Sequence, residues 1–530
     1  MHNGRMSQMH EPPPFGQDRD AITRLASGLR ALPYTTDAVG DLLGETAGAA
    51  LDREQAEPAR SRVAQVMHDD GAPASQRALA AVVSCWMLGD PVPVGALDAA
   101  LPALGADGAA GLNLGWIGER HFHPVVDLSP HASDDLGEVW VASDQTALQA
   151  RGVLPPWHVL GIGRASLTLA GNVIRRPVAR ALDLGVGCGI QTLHLLSHAG
   201  HVTATDLSGR ALDFTAFNLV LNAEALGLDP DEDPFAPGGR VSLLRGDLLD
   251  PVAGERFDLV VSNPPFVITP RTGEAVRTYR DGGREGDRLL ADLVRQLPEH
   301  LEPGGTAQLL GNWELHDSDG DWDARLRDWV PAGTDAWIIQ RDVADPARYA
   351  ETWLQDSSEQ YDPDGYAAGY RRYLEDFDAR GVAGVGFGYL WLRRPEAPRA
   401  GRVRAEALEG ELQQPLGPAW GAAVDRWDLV ERESLPGLHV RVPADVTEER
   451  HQRFGAEHPE VILARQGGGF RRVAHLDTAT AGFLSAADGE FTVGQLTGAV
   501  AGLLELDAET ERALTAAVRQ LVLDGFLETL

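Results

Sequence analysis

ALDLGVGCGIQTLHLL, residues Ala181 to Leu196, reads as a buried strand, a glycine turn and the start of a helix. Leu182 and Leu184 belong to the strand, and Gly185, Gly187 and Gly189 form the turn. Glycine lets the backbone approach a ligand closely and adopts dihedrals that a Cβ would forbid. The spacing is G-x-G-x-G, with Ile190 directly after Gly189. The dinucleotide fingerprint needs one more residue before its last glycine, so NAD is disfavoured.

Three further strands continue outward from this turn. HVTATDLS, His201 to Ser208, ends on Asp206, a carboxylate placed to accept both hydroxyls of a ribose. A further strand, VSLLRGDLLD, ends with Asp247, an acceptor for an exocyclic adenine amine, with Leu248 to cover the ring. FDLVVSNPPFV, Phe257 to Val267, ends in Asn263-Pro264-Pro265-Phe266. That tetrad suits a nitrogen attached to a flat, conjugated group, whose lone pair is delocalised and must be aimed at an electrophile. Asn263 Oδ1 and the Pro264 carbonyl are acceptors for an NH₂, Phe266 is a stacking surface, and two prolines stiffen the whole. Such chemistry needs no metal.

Glycine turn, ribose acid, adenine acid and tetrad, in that chain order, resemble the class I S-adenosylmethionine-dependent methyltransferases from about Val159 to about Arg394. The resemblance implies an α/β fold, a seven-stranded Rossmann-like sheet with its last strand antiparallel, and S-adenosylmethionine as cofactor. It gives Asp183, Gly185, Gly187 and Gly189 to the methionine end of the donor, Asp206 to the ribose, and Asp247 and Leu248 to the adenine. Asn263 would touch both donor and acceptor, and Pro264, Pro265 and Phe266 would complete the catalytic set. Structural alternatives are that Asp183 caps the following turn and that Asp247 begins a helix.

YRDGGREGDRLLADLV, Tyr279 to Val294, resembles the segment after the same tetrad in the release-factor glutamine methyltransferases, through Asp281-Gly282-Gly283 and Gly286 before an amphipathic helix. That family methylates a planar carboxamide, so the likeness implies a protein substrate such as a translation factor, modified at a glutamine amide. The family's tetrad usually ends in tyrosine, whereas this chain has Phe266, as is common in ribosomal-RNA guanine and tRNA adenine enzymes of the same fold. Structured RNA, or DNA, modified at guanine N2 or adenine N6 is therefore the alternative acceptor. A binding scaffold that retains the donor without turnover is the third reading.

The composition narrows the partners. A net charge of −32 opposes a generally basic nucleic-acid groove, and all 46 basic residues are arginine. No apolar run has the length of a membrane span, and the opening residues lack the apolar core of a signal peptide, so a cytoplasmic protein is expected. Cys85 and Cys188 are the only cysteines, which excludes a disulfide framework or a cysteine zinc site. His121 and His123 alternate as on a strand, and the Asp317, Asp319, Asp321, Asp323 run lacks the terminal glutamate of a calcium loop; no metal is expected.

The domain expectation is a flexible arm over 1–20, a mainly helical or winged-helix-like region over 21–135, the methyltransferase-like domain over 136–394, and an α+β extension over 395–530 with a winged-helix-like end. The extension follows a proline- and arginine-rich hinge, and WDLVERE and LHVRVPAD read as strands. Leu496, Val500, Leu503 and Leu504 form one apolar stripe, and Leu514, Val518, Leu521 and Val522 another. An insertion at 344–381 carries Tyr349, Trp353, Tyr361, Tyr366, Tyr370, Tyr373 and Phe377, as a lid over the acceptor or as a helical pair buried on the sheet.

Overall fold

The structure, a computed structural model, describes residues 18–150, 152, 154–155, 157–229, 233–271, 283–318, 320–359 and 362–530. Tyr279, Asp281, Gly282, Asp319 and Tyr361 lie outside them. The chain forms two compact units, one of residues up to Ala170 with Pro177–Ala407, the other of Gly171–Arg176 with Leu408–Leu530.

Eight strands make the central sheet of the first unit: β1 (Val178–Leu184), β2 (Ala199–Asp206), β3 (Val241–Arg245), β4 (Phe257–Ser262), β5 (Leu301–His316), β6 (Asp335–Ala344), β7 (Val382–Arg393) and β8 (Val403–Ala407). Their order is β8-β6-β7-β5-β4-β1-β2-β3. Strand β7 runs antiparallel to both β5 and β6, and all other neighbours are parallel. This is the Rossmann-like class I methyltransferase sheet with one strand added. The addition corrects the expected seven: β8 lies in the stretch read as a hinge, where Arg393, Arg399 and Arg402 converge on the buried carboxylate of Asp335 and fasten the edge.

Helices cover the sheet where the sequence supplies an apolar face. Helix α1 (Ile190–Leu195) follows β1 and α2 (Gly209–Leu221) follows β2. Helix α3 (Arg288–Gln296) buries Leu289, Leu290, Leu293 and Val294, the spacing of one helical face, in a core with Leu182, Phe257, Val260 and Trp313. Helices α4 (Pro346–Asp356) and α5 (Pro363–Arg380) form the insertion, each with an aspartate at its amino end accepting a backbone N–H.

Before the sheet, helices Ala74–Val82, Val94–Ala100 and Gly105–Gly111 accompany a small sheet in which His121–Pro124 lies between Val92–Pro93 and Gly115–Ile117. Helices at Arg19–Ala31, Thr36–Leu51 and Glu57–His68 precede them. A hairpin of Val126–Ser133 and Gly137–Asp144 spans the expected boundary at 135.

The second unit has its own core, including Val440, Phe483, Val493, Val518, Val522 and Leu527. WDLVERE is not a strand: it completes the helix Gly417–Arg432, whose buried Trp420, Ala423, Val424 and Val430 recur at helical spacing. His439–Arg441 pairs with Asp488–Thr492 and Glu528–Thr529 beside helices Thr478–Ala486, Val493–Leu503 and Ala508–Asp524. Leu496 and Val500 are buried as expected, but Leu503 is 83% exposed, so the first apolar stripe stops a turn early. Among the described residues no helix is long and apolar enough to cross a membrane.

Candidate functional site

Parallel pairing places Thr205 of β2, Leu184 of β1 and Ser262 of β4 in one row. The next residue along each strand is Asp206, Gly185 and Asn263, so the three motifs meet at the carboxyl edge of the sheet. The strand order reverses between β1 and β4, and open α/β sheets bind ligands at such a switch point. The Ser262 hydroxyl donates to the Leu184 carbonyl at 2.7 Å and ties β1 to β4 at that edge, a contact no motif announced.

The glycine turn is held from β2 and α2. Gly185 and Val186 N–H donate to the Thr205 carbonyl at 2.9 and 3.0 Å. The Thr215 hydroxyl donates to the Gly187 carbonyl at 3.1 Å, and Asn218 Nδ2 donates to the Cys188 carbonyl at 2.8 Å. Gly185 and Gly187 have φ of +79° and +57°, and a Cβ on either would project into open space. They therefore leave a cradle beside the backbone that any side chain would fill. Gly189 differs: at φ +90°, its Cβ would meet Thr215 at 3.0 Å, so it serves packing. Cys188 is buried, which pushes its thiol up to about 12, and it acts as a small filler.

Asp183 is 1% exposed. Its Oδ2 accepts from the Thr192 hydroxyl at 2.6 Å, while its Oδ1 is buried with no hydrogen-bond partner among the described residues. Burial raises its pKa to about 7, against the opposing Thr192 hydrogen bonds, and the nearby Asp206 charge adds to the rise. A buried acid with one oxygen spare is more than a turn cap. Asp206 accepts from Gly187 N–H at 3.1 Å and Ser208 N–H at 2.8 Å. Each carboxylate oxygen keeps a further lone pair, so holding the turn leaves room to accept hydroxyls. Burial raises the Asp206 pKa as well.

Asp247 stands exposed two residues past the end of β3, and its carbonyl accepts the Asp250 N–H at 3.0 Å as a single helical turn begins. Leu248 is half-buried at φ +44°, a conformation unusual for a branched side chain and typical of strained ligand-facing backbone.

Asn263 Oδ1 is buried and has no hydrogen-bond partner among the described residues. The Pro264 carbonyl accepts the Phe266 N–H at 2.7 Å across a tight three-residue turn, which occupies one of its two lone pairs. Pro265 and Phe266 border a small hollow with Arg284, Asp287 and Leu290. The chain leaves the tetrad at Ile268, whose N–H donates to the Tyr349 hydroxyl at 2.9 Å, and the Phe266 ring meets Trp353 edge-on at 6.3 Å. Tyr349 and Trp353 belong to the insertion, which the tetrad's own sequence could not have identified as neighbours. Of the other described aromatics of the insertion, Tyr373 and Phe377 are 4% and 1% exposed, while Tyr366 and Tyr370 are half-buried against them.

Asp317, Asp321 and Asp323 do not converge with other ligands: among the described residues no group of three His, Cys, Asp or Glu side chains could hold a metal ion. His123 instead stacks on Trp116 at 4.0 Å.

Residues 161–319 match a family model described as a methyltransferase small domain, and residues 31–121 match a domain of unknown function. A ribosomal protein uL3 glutamine methyltransferase of Bradyrhizobium diazoefficiens is 34% identical over 147 residues, which are 26% of this chain and 42% of that protein. A release factor glutamine methyltransferase of Geobacter sulfurreducens is 33% identical over 142 residues, 25% of this chain and 45% of that one. A ribosomal RNA small subunit methyltransferase C of Alcanivorax borkumensis is 30% identical over 181 residues, 34% and 46% of the two. The chain thus spans less than half the length of each of these relatives, to whose class I methyltransferase fold its central region is related.

Proposed function

We propose that the chain is an S-adenosylmethionine-dependent N-methyltransferase whose acceptor is a protein glutamine side-chain amide. The observation that carries this reading is the buried Oδ1 of Asn263, without a hydrogen-bond partner among the described residues, in the same edge position of the sheet as the glycine turn and Asp206. A buried acceptor left without a donor costs about 1–3 kcal/mol, a cost offset when an NH₂ binds there. When bound, S-adenosylmethionine would supply an electrophilic methyl: the S–CH₃ bond breaks as the C–N bond forms, the sulfonium leaves as the neutral thioether of S-adenosylhomocysteine, and the methylated nitrogen gives up one N–H proton to water.

The residues present fit that donor. The cradle over Gly185 and Gly187 admits its methionine end, the spare Asp183 Oδ1 pairs with the ammonium, and Asp206 retains acceptor capacity for the ribose. Asp247 and Leu248 flank the adenine position at the end of β3. On the acceptor side, Asn263 Oδ1 and the second lone pair of Pro264 hold the two N–H bonds, which turns the nitrogen lone pair toward the methyl. Phe266 supports the flat carboxamide. These residues orient and desolvate, which supplies most of the barrier reduction in a transfer that needs no charged nucleophile.

A nucleic-acid base amine is the second reading, supported by Phe266 as a stacking face and by the likeness to a ribosomal RNA enzyme over 181 residues. The net charge of −32 weighs against it. Asn263→Ala is expected to lower transfer by roughly a hundredfold or more while S-adenosylhomocysteine still binds, in line with the loss of one positioned hydrogen-bonding group. Unchanged turnover would remove Asn263 from the chemistry. Equal labelling of nuclease-treated and untreated extracts favours the protein acceptor; label lost with nuclease favours the base; donor binding with no labelling of either leaves the scaffold that retains the donor.

A further inference from the structure

The insertion between β6 and β7 is anchored at both ends of the acceptor side. At the tetrad, Tyr349 is fully buried, and its hydroxyl accepts the Ile268 N–H at 2.9 Å and Asn312 Nδ2 at 3.1 Å. Its ring lies 5.7 Å from those of Phe377 and Phe387 and 6.0 Å from that of Trp353, so α4, α5 and β7 share one aromatic cluster around it. At the other end, Arg380, the last residue of α5, pairs with the buried carboxylate of Glu314. The Glu314 N–H donates to Asp287 at 2.8 Å, and Arg325 grips the same carboxylate at 3.0 and 2.6 Å. Gly286, at φ +58°, is pressed so close to Glu314 and Arg380 that a Cβ would meet them at 2.9 and 3.1 Å. The segment after the tetrad is thereby fixed to the insertion.

Such anchoring belongs to a wall and not to a swinging lid. On that wall Trp353 is half-buried, turned edge-on to Phe266 at an interplanar angle of 71°. We infer that Trp353 is a specificity-determining residue: with Phe266 it forms a right-angled aromatic corner that sets which flat group can lie beside Asn263. The inference rests on the proposed methyl transfer, in that Phe266 faces the acceptor. It makes the insertion the part of the molecule that selects the substrate, with the donor pocket left to the β1, β2 and β3 edge.

The test uses the full chain, tritium-labelled S-adenosylmethionine and a dilution series of extract from the source organism. Trp353→Ala is expected to raise the amount of extract needed for half-maximal labelling about tenfold, the upper range for losing an aromatic edge contact. Trp353→Phe restores most of it, and S-adenosylhomocysteine binding by calorimetry stays within about twofold in both. Half-saturation unchanged in both variants overturns the inference. So does a loss of labelling that runs parallel to a loss of S-adenosylhomocysteine binding, because Trp353 then only supports the fold. Label found in RNA overturns the amide acceptor and leaves the corner to be judged on the same half-saturation shift, whereas no labelling by the wild type overturns both. If Trp353→Ala does not fold, Trp353→Phe and Trp353→Met decide by the same readout.

Discussion

Asp183 shows how one residue can be legible in type and illegible in state. Its place before the glycine turn is what leads the sequence reading to give it the donor's ammonium, but its protonation depends on burial that no spacing reveals. With burial raising its pKa to about 7, the acid is half-protonated near neutral pH in the free protein. A donor ammonium favours the carboxylate, so binding must expel that proton. S-adenosylhomocysteine affinity is expected to rise as pH increases toward about 7 and to level off above it. Asp183→Asn is expected to flatten that profile and to weaken binding about tenfold or more, as calorimetry across pH 5.5 to 8.5 would report, each roughly 1.4 kcal/mol being a factor of ten. A profile that keeps its slope in Asp183→Asn would assign the titration elsewhere. Thr192, which supplies the single side-chain hydrogen bond to Asp183, was invisible in the motif because a threonine on a helix is ordinarily unremarkable.

At the scale of elements, strands were readable where burial on both faces gives continuous apolar runs, as in ALDL and FDLVVS. Amphipathic stretches failed where two periods compete. WDLVERE alternates well enough for a strand, yet Trp420, Ala423 and Val424 upstream set a helical face that carries through it. Strand β8 was missed because none of its residues is fully buried and its pairing depends on Asp335, some seventy residues earlier. In the candidate site the motif residues can be named strand by strand, whereas the sequence offers Tyr349 and Trp353 only as part of an insertion, lid or buried helical pair, and their contacts with the tetrad depend on packing that no spacing reveals.

The hairpin Val126–Ser133 and Gly137–Asp144 is held by a device of this second kind. Asn222 receives the Trp140 N–H at 2.8 Å and donates to the Trp140 carbonyl at 2.7 Å. Asn218 does the same for Ala142 at 2.8 and 2.9 Å, and both side chains project from α2 or the residue after it. Two amides thus stand in for a neighbouring strand. Asn218 also holds the Cys188 carbonyl, so it couples the hairpin to the glycine turn. Asn218→Ala leaves several buried backbone groups unpaired and is expected to cost about 2–4 kcal/mol. Urea unfolding measures that loss, and hydrogen exchange is expected to quicken at Ala142 and Trp140 before the central strands.

Over the whole molecule, 78 acidic residues face 46 arginines, and the few buried pairs decide how the fold meets acid. Asp335 is the clearest case: fully buried, which alone would raise its pKa, it is held down to about 2 by hydrogen bonds from Arg399, Arg393 and Arg402. Its ordinary value of 3.8 applies once the chain unfolds. The folded state therefore gains from the charged form, a gain complete above about pH 4 and lost as pH falls toward 2. The size is about 2 kcal/mol. Asp183 contributes with the opposite sign, because its raised pKa penalises the folded state increasingly as pH climbs from about 4 to about 7. Together they predict that stability improves on mild acidification and then falls below pH 4. Asp335→Asn separates the two: three arginines would face a neutral amide, lowering stability at pH 7 by several kcal/mol, as for other buried pairs broken on one side. The variant would also lose the decline between pH 4 and 2 that this group supplies, so the wild-type advantage must shrink across that window in urea titrations. An advantage that stays constant down to pH 2 would mean that the three arginines do not hold Asp335 charged.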